Sequence, residues 1–242
     1  MPRFFKEDFK ANPFLEGADA GHVARSLRMR VGEELTVSDS RGTDFACVIT
    51  GVSADRISLE IKEERPSESE PDIKVTLCTC LLKGDKFESV IRHSVELGVG
   101  EILPVLSTNC VSRPDGKALK SKGERWQKIA NEAAGQCGRG VLPTVLPTTD
   151  LTEFAKTIKD YDLVLFFYEV GGEPLGETIW ENDTAKKIAI ITGPEGGFTA
   201  KEAEMLSEAG AKTISLGKRI LRAETAPLAA LTGVMLLTDN LE

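Results

Sequence analysis

A glycine-rich turn, IITGPEGGF at residues 190–198, has the composition of a ligand-binding loop. Gly193, Gly196 and Gly197 carry no Cβ, so a ligand can approach the backbone N–H and C=O groups directly. In open α/β sheets ligands bind at the carboxyl ends of strands, and this turn follows a β-branched run typical of a strand. Glu195 is the only ionisable side chain in the turn. The spacing alone also fits a plain connection from a strand to a helix with an exposed glutamate.

A second segment, LGKRILRAETA at residues 216–226, again has the pattern of a strand end, a loop and a helix. Its basic residues bracket Ile220 and Leu221. Aliphatic side chains can hold a flat ring, while a guanidinium group such as that of Arg222 faces an electron-rich partner. A solvated basic turn before a helix is the alternative that this segment leaves open.

The amino-terminal part contains a group of basic and aromatic side chains. Arginines can contact phosphates while an aromatic ring stacks on a base, so this group is compatible with RNA binding. The candidate residues are Arg3, His22, Arg25, Arg28 and Arg30. Because the net charge is -8, scattered surface arginines are the competing interpretation, and any RNA contact must use local patches.

Composition and missing motifs disfavour several classes of chemistry. Two histidines argue against a multi-histidine metal centre or a Ser-His-Asp triad, and five cysteines without C-x-x-C spacing argue against zinc or a disulfide framework. The absence of G-x-x-x-x-G-K-[ST], and of G-x-G-x-x-G after the first α/β strand, disfavours P-loop and Rossmann nucleotide sites. No apolar run reaches the roughly 20 residues of a membrane helix, and the amino terminus is charged, so we expect a soluble, cytoplasmic protein.

The elements that position these segments divide the chain into two expected domains. Residues 1–62 contain short alternating runs separated by turns, a pattern that suits a small β-barrel. The segment EERPSESEPD at residues 63–72 cannot pack a core and is interpreted as a linker. We therefore place the boundary near residue 70, with domains at 1–70 and 71–242.

The second domain alternates between strands and helices, which predicts an α/β fold whose mostly parallel sheet is covered on both faces. Thr199 and Glu202 fit a capping box at the start of a helix. The predicted strands are 73–82, 101–106, 162–168, 187–192 and 213–216. The predicted helices are 85–97, 121–137, 151–159, 200–209 and a final helix that reaches the terminus.

The segments GPEGGF and LGKRILRAETA resemble the SPOUT superfamily, and specifically the family that methylates N3 of a uridine in small-subunit ribosomal RNA. The resemblance continues, in the same order, through RFF (3–5), HVARSLRMRVGE (22–33), ELGVGEILPV (96–105) and RWQKIANEAAGQCGR (125–139). It therefore covers nearly the whole chain. One departure is Gly21, which precedes His22 at a position where many members carry a second histidine.

This resemblance implies a PUA-like amino-terminal β-barrel that helps to bind RNA, and a trefoil-knotted carboxyl-terminal domain that binds S-adenosylmethionine. It also implies a homodimer, and we expect its interface to include the last helix. The nearly uncharged run at residues 227–237 fits this, because it needs burial either in the core or against a second subunit. The expected partner is small-subunit ribosomal RNA or the assembled small ribosomal subunit. A SPOUT methyltransferase with another RNA target, and a non-catalytic RNA-binding or ribosome-assembly factor, are the alternatives.

The resemblance also implies roles for individual residues. Arg222 is the candidate for stabilising the charge that spreads over the uridine carbonyl oxygens as N3 loses its proton, whereas Glu195 either assists proton removal or orients its loop. The cofactor pocket is expected at the loops that follow strands ending near residues 167, 192 and 216. Its predicted residues are Phe167, Thr192, Gly193, Pro194, Glu195, Gly196, Gly197, Leu216, Gly217, Ile220, Leu221 and Arg222.

Overall fold

The computed structural model describes residues 1–241, which form two compact units. The first unit comprises Met1–Glu70 together with Ala134–Leu142. The second comprises Pro71–Ala133 and the chain from Pro143 onward. Each unit has a buried apolar cluster of its own. The first unit is therefore discontinuous in the sequence.

The first unit is built on a five-stranded sheet. Its strands are β1 (Arg3–Phe5), β2 (Phe14–Glu16), β3 (Glu34–Ser38), β4 (Thr43–Val52) and β5 (Arg56–Pro66), in the order β1-β3-β4-β5-β2. A short helix α1 (Gly17–Gly21) continues into a π-helical turn (His22–Ser26). Strands β1 and β3 are parallel, and the other neighbours are antiparallel. The expected barrel is thus a curled sheet with β1 and β2 at its edges.

The prediction of a linker at residues 63–72 is wrong for residues 63–66. Strand β5 continues to Pro66, which pairs with Thr43 of β4. Backbone pairing to β4 stabilises this extension, while its side chains are exposed to solvent. Composition reports only on side chains, and it therefore missed a strand end that depends on the backbone.

Glu70 attaches residues 134–142 to the first unit. Its carboxylate accepts hydrogen bonds from the Arg139 guanidinium at 2.7 to 3.1 Å and from the backbone N–H groups of Gly140 and Val141 at 2.7 and 3.1 Å. Burial raises the pKa of Glu70, but the hydrogen bonds and charge of Arg139 and the two N–H groups outweigh burial and lower it. The end of the predicted linker is therefore an anchored segment.

The second unit contains an eight-stranded sheet in which every pair is parallel. Its strands are β6 (Lys74–Cys80), β7 (Glu101–Leu106), β8 (Thr144–Val145), β9 (Thr149–Asp150), β10 (Leu163–Phe167), β11 (Glu173–Pro174), β12 (Lys187–Thr192) and β13 (Lys212–Ser215). The order is β11-β13-β10-β12-β6-β7-β8, and β9 also pairs with β7. Strand β10 is buried over its full length, as expected for a sheet covered on both faces.

The helices of the second unit complete the predicted α/β fold. They are α2 (Lys86–Glu96), α3 (Gly116–Cys137), α4 (Leu151–Ala155), α5 (Leu175–Glu181), α6 (Ala200–Glu208) and α7 (Ala226–Leu237). The last four residues of α3 belong to the first unit. Within residues 1–241, no helix combines the length and the apolar character that crossing a membrane requires. The α/β class and the parallel sheet are confirmed.

Several helix boundaries were predicted wrongly. Helix α3 begins five residues earlier than expected because Asp115 accepts a hydrogen bond from the backbone N–H of Ala118 at 2.8 Å and so caps its first turn. The helix expected at 151–159 stops at Ala155, since the Thr157 hydroxyl bonds to the Phe154 carbonyl at 2.8 Å, and a separate 3-10 turn follows. Helix α5 was not predicted, and α7 ends at Leu237 rather than at the terminus.

Candidate functional site

A cavity of about 650 Å³ lies at the carboxyl ends of β10, β12 and β13, which are neighbours in the sheet. It is lined by residues 167–169, by residues 192–197 of the glycine loop (residues 192–198) and by the basic loop (residues 215–224), together with Lys86 and Ala226. Every residue predicted for the pocket lies on its lining: Phe167, Thr192, Gly193, Pro194, Glu195, Gly196, Gly197, Leu216, Gly217, Ile220, Leu221 and Arg222. Its volume is in the range of small-molecule sites. The structure thus brings the predicted segments together, and their binding role stays a prediction.

The glycine loop needs glycine at two positions for different reasons. A Cβ on Gly196 would lie 2.9 Å from the Cβ of Asn109, so the loop packs against a neighbouring segment with no room for a side chain. Gly197 has φ of 63°, in the left-handed region that favours glycine. A Cβ there would also collide with the Glu169 carboxylate. Because these contacts leave no room for side chains at Gly196 and Gly197, the backbone of the loop itself lines the cavity.

The far end of the glycine loop is fixed in two ways. The Thr199 hydroxyl accepts from the Glu202 N–H at 3.2 Å and Glu202 accepts from the Thr199 N–H at 2.8 Å, which confirms the predicted capping box. Phe198 is buried, and its ring packs edge-on against Phe166 with centroids 5.0 Å apart. The loop therefore ends in the core and in a helix terminus.

Glu202 also reaches a segment that the sequence analysis did not associate with the site. Its carboxylate accepts a hydrogen bond from the backbone N–H of Thr108 at 2.7 Å. Burial raises the pKa of Glu202, but bonds from Thr108 and Thr199 outweigh burial and lower it. The carboxylate is therefore held ionised between two chain segments.

Lys86, the first residue of α2, connects the two loops, and it was missed by the sequence analysis. Its ammonium lies 3.0 Å from a carboxylate oxygen of Glu224 and 4.0 Å from one of Glu195. The hydrogen bond from Lys86 lowers the pKa of Glu224. Glu195 also accepts a hydrogen bond from the backbone N–H of Lys83 at 3.0 Å. The sequence contains no signal for Lys86, because only the observed strand order shows that β6, which Lys86 follows, lies next to β12.

Arg222 lies at the end of the basic loop with its side chain exposed. Its carbonyl accepts hydrogen bonds from Thr225 and Ala226 at 2.8 and 2.9 Å, and so leads the chain into α7. Within the described residues, its guanidinium makes no hydrogen bond or ion pair. Ile220 is 86% exposed, so the aliphatic side chain that is expected to contact a flat ring faces solvent.

The candidate RNA-binding residues differ in solvent exposure. The Arg3 guanidinium is largely buried and forms two hydrogen bonds to the Asp44 carboxylate, at 2.5 and 2.7 Å. The other four candidates, His22, Arg25, Arg28 and Arg30, are exposed. Gly21 is buried, and the Arg25 guanidinium occupies the space that a Cβ on Gly21 would need. A histidine at this position would therefore displace Arg25.

Comparison with known proteins identifies the family. The family model described as an RNA methyltransferase domain matches residues 68–235, and a second, described as an RNA methyltransferase PUA domain, matches residues 15–62. The ribosomal RNA small subunit methyltransferase E of Bacillus subtilis is 33% identical, over 100% of this chain and 98% of the relative. The chain belongs to the ribosomal RNA small subunit methyltransferase E family.

Two solved structures share the fold of this methyltransferase E family member along most of its length. The enzyme of the same name from Neisseria gonorrhoeae, bound to S-adenosylmethionine, is 31% identical, covers 98% of both chains and has a TM-score of 0.89. A methyltransferase from Legionella pneumophila, in complex with the same cofactor, is 30% identical, covers 92% of this chain and 91% of its own, and has a TM-score of 0.81.

The family matches separate the two groups of candidate residues in this methyltransferase E family member. The cavity lies in the match to the RNA methyltransferase domain, whereas His22, Arg25, Arg28 and Arg30 lie in the match to the PUA domain. Arg3 lies outside both matches. In residues 1–241, no cluster of three or more His, Cys, Asp or Glu side chains is arranged to hold a metal ion.

Proposed function

We propose that the protein transfers a methyl group from S-adenosylmethionine to N3 of a specific uridine in small-subunit ribosomal RNA. The observation that carries this proposal is the cavity at the ends of β10, β12 and β13, where the glycine loop meets the basic loop. Membership of the methyltransferase E family supports ribosomal RNA as the substrate. The choice of N3 rests on the resemblance of the two loop motifs.

The cavity fits S-adenosylmethionine by its shape and by its mixture of groups. The glycine loop presents backbone at the cavity wall, and Leu216 and Leu221 offer aliphatic surface to a flat ring. The carboxylates of Glu169 and Glu195 line the same cavity and suit a positively charged ligand. When bound, this cofactor supplies an electrophilic methyl group. The protein must then position a nucleophilic nitrogen in line with that group.

Within this proposal, Arg222 and Glu195 have different roles. The Arg222 guanidinium is exposed at the cavity, and after the hydrogen bond from Lys86 its charge also contributes to the lowered pKa of Glu224. It forms no hydrogen bond or ion pair with the described residues, so it is available for the negative charge that develops on the uridine carbonyl oxygens. Glu195 accepts from the Lys83 N–H and faces Lys86. These contacts favour the role in which Glu195 orients the glycine loop over the role in which it removes the N3 proton.

RNA recognition is assigned to the PUA-like unit. His22, Arg25, Arg28 and Arg30 are exposed there and lie close together in the sequence, on a protein whose net charge is -8. A protein of this charge gains little from unspecific attraction to naked RNA. The assembled small ribosomal subunit in the cytoplasm is therefore the proposed substrate.

We also propose a homodimer whose interface includes α7. Leu236 on this helix is 51% exposed, and Trp180 on α5, which packs beside α7, is 68% exposed. Large apolar side chains exposed on adjacent helices are typical of an association surface. Sedimentation at micromolar concentration should give twice the chain mass, and a monomer would contradict the proposal.

The trefoil knot implied by the resemblance is part of the same proposal. Strand β13 lies beyond β10 in the sheet, yet the helix that follows it, α7, packs on β12 and β6. The chain therefore returns past the ends of β10 and β12 after β13, and this return supports the proposed knot. An experimental structure traced from density between β10 and α7 tests this path.

Methylation of purified small subunits tests the proposed activity directly. Subunits from cells that lack the gene are incubated with the protein and S-adenosylmethionine, and the nucleosides are then analysed by mass spectrometry. We expect 3-methyluridine to appear. A different methylated nucleoside would indicate a related enzyme with another target. Failure of the cofactor to bind in calorimetry would indicate a non-catalytic RNA-binding factor.

A further inference from the structure

A segment between β7 and α3, residues 107–113, lies against the glycine loop. Its Asn109 side chain donates hydrogen bonds from Nδ2 to the carbonyl oxygens of Gly196 and Gly197, at 3.0 and 3.1 Å. These bonds join residues 87 and 88 positions apart in the sequence. A single amide nitrogen thus fixes the direction of two consecutive carbonyls in the loop that lines the cavity.

Packing adds to these hydrogen bonds. A Cβ on Gly196 would lie 2.9 Å from the Asn109 Cβ, which is closer than real Cβ atoms approach. The same contact explains why the loop has glycine at this position and why the neighbouring side chain is a short amide. Neither partner can become larger without moving the other.

Asn109 itself is fixed on both sides by its neighbours. The Thr108 N–H is bonded to the Glu202 carboxylate of the capping box at 2.7 Å. The Arg113 guanidinium bonds to the carbonyls of Ser107 and Thr108. The segment, the glycine loop and the start of α6 are therefore one hydrogen-bonded unit, and Asn109 is positioned before any ligand binds.

From these contacts we infer that Asn109 is a positioning residue for the cofactor. It acts by holding the Gly196 and Gly197 peptides in the orientation that the glycine loop presents to S-adenosylmethionine. An asparagine suits this role because its NH2 group offers two donors to the two carbonyls, whereas a carboxylate of the same shape offers only acceptors. The inference rests on the proposed cofactor site.

The test compares three variants in calorimetry with S-adenosylmethionine. Asn109→Asp keeps the side-chain shape but sets a carboxylate against two carbonyl oxygens, and should weaken cofactor binding by about tenfold or more at pH 8. Asn109→Ala removes the donors without adding repulsion and should weaken binding about threefold to tenfold. The matched control is Asn182→Asp, because the Asn182 amide also donates to a backbone carbonyl, Thr178, at 2.8 Å, but does not line the cavity. It should bind as the wild type does.

The pH dependence of Asn109→Asp separates positioning from general destabilisation. Carbonyl oxygens disfavour the ionised form of the introduced carboxyl and raise its pKa, so lowering the pH restores an O–H donor. Affinity should therefore recover between pH 8 and about pH 5 in Asn109→Asp but not in Asn109→Ala. Glu169, Cys110, Glu202 and Arg113 face the same region in every variant, so any pH effect of these groups appears in the wild-type and Asn109→Ala profiles as well.

Weaker binding that recovers at low pH supports the role of Asn109. Wild-type affinity for Asn109→Asp, or an equal loss in Asn182→Asp, overturns it. If Asn109→Asp does not fold, as judged by thermal melting, Asn109→Ala decides, and its binding as tightly as the wild type would overturn the role. Absence of cofactor binding by the wild-type protein would instead overturn the proposed function.

Discussion

The two loops that line the cavity differ in how the rest of the protein holds them. The glycine loop receives side-chain bonds from Asn109, ends in the capping box of α6 and buries Phe198. In the basic loop, by contrast, no hydrogen bond or ion pair of the described residues reaches positions 218–221. Ile220 on this loop is 86% exposed.

This difference indicates that the two loops contribute to the same site in different ways. A loop whose peptides are already fixed loses little conformational entropy when a ligand binds. Such a loop suits a cofactor, which has the same structure in every reaction cycle. Residues 218–221, which no hydrogen bond of the described residues reaches, must be ordered by what they bind. Arg222 directly follows this stretch, so the order of the basic loop is expected to depend on cofactor and RNA together. The glycine loop would then select the cofactor, and the basic loop would respond to the complete complex.

The largest expected effect separates rate from binding. Arg222→Ala should lower methyl transfer by roughly 100-fold, because it removes a charge that acts only as the uridine ionises. Cofactor affinity should change little. Single-turnover methylation of small subunits and calorimetry measure the two quantities, with Arg92→Ala as an exposed arginine control on α2. Wild-type methylation by Arg222→Ala would leave the basic loop as a solvated turn.

The next largest effect is expected for a substitution in the glycine loop. Gly196→Val should weaken S-adenosylmethionine binding by about tenfold or more, because the new side chain must displace Asn109 or move the loop. Gly123→Val is a matched control, since a Cβ at Gly123 of α3 meets no atom within 4 Å. Calorimetry checks both variants. If the two bind alike, the glycine loop is not sterically constrained at this position.

Hydrogen exchange measures the contrast between the loops directly. Cofactor should slow exchange of the amides at positions 218–221 several-fold, because these amides donate no hydrogen bond to any residue in 1–241. The Gly197 amide already donates to the Pro194 carbonyl at 3.0 Å and should change less. Mass-spectrometric exchange with and without cofactor gives both values. Equal slowing in the two loops would contradict the proposed division between them.

The smallest effect is expected at the ion pairs that join the loops. Lys86→Met should weaken cofactor binding only about twofold to threefold, because Lys86, Glu195 and Glu224 are all partly exposed and such pairs contribute little. Lys83→Met serves as the control, since Lys83 bonds to Glu195 through its backbone N–H alone. Calorimetry at low and high salt measures both. A larger loss for Lys86→Met would show that the two loops are strongly coupled.

The sequence predicted the parts of the site whose signals are local. The glycine spacing, the capping pair Thr199 and Glu202, and the strand ends at Phe167 and Thr192 all lie within a few residues of what they specify. Asn109 and Lys86 could not be found in this way, because they reach the glycine loop from the ends of β7 and β6 across the sheet. Only strand order shows that these ends are neighbours, and single-sequence periodicity does not give strand order.

The same distinction applies to the fold. Apolar runs predicted the long buried strands to within a few residues, because burial on both faces leaves a continuous signal. Helix α5 was missed since it has only seven residues, LGETIWE, with Trp180 exposed and little amphipathic pattern. The extension of β5 and the anchoring of Glu70 depend on backbone pairing and on a distant arginine. Neither feature can be inferred from the amino-acid composition of the segment itself.

The bond between Glu70 and Arg139 has a consequence for the order in which the chain is made. Arg139 follows Glu70 by 69 residues, so at ~5–20 residues per second the ribosome needs roughly 3 to 14 seconds to supply it. During that interval the amino-terminal sheet emerges without the segment that completes its unit, while β6, β7 and the whole of α3 are synthesised. The unit encoded first is therefore finished only after the second has begun to form.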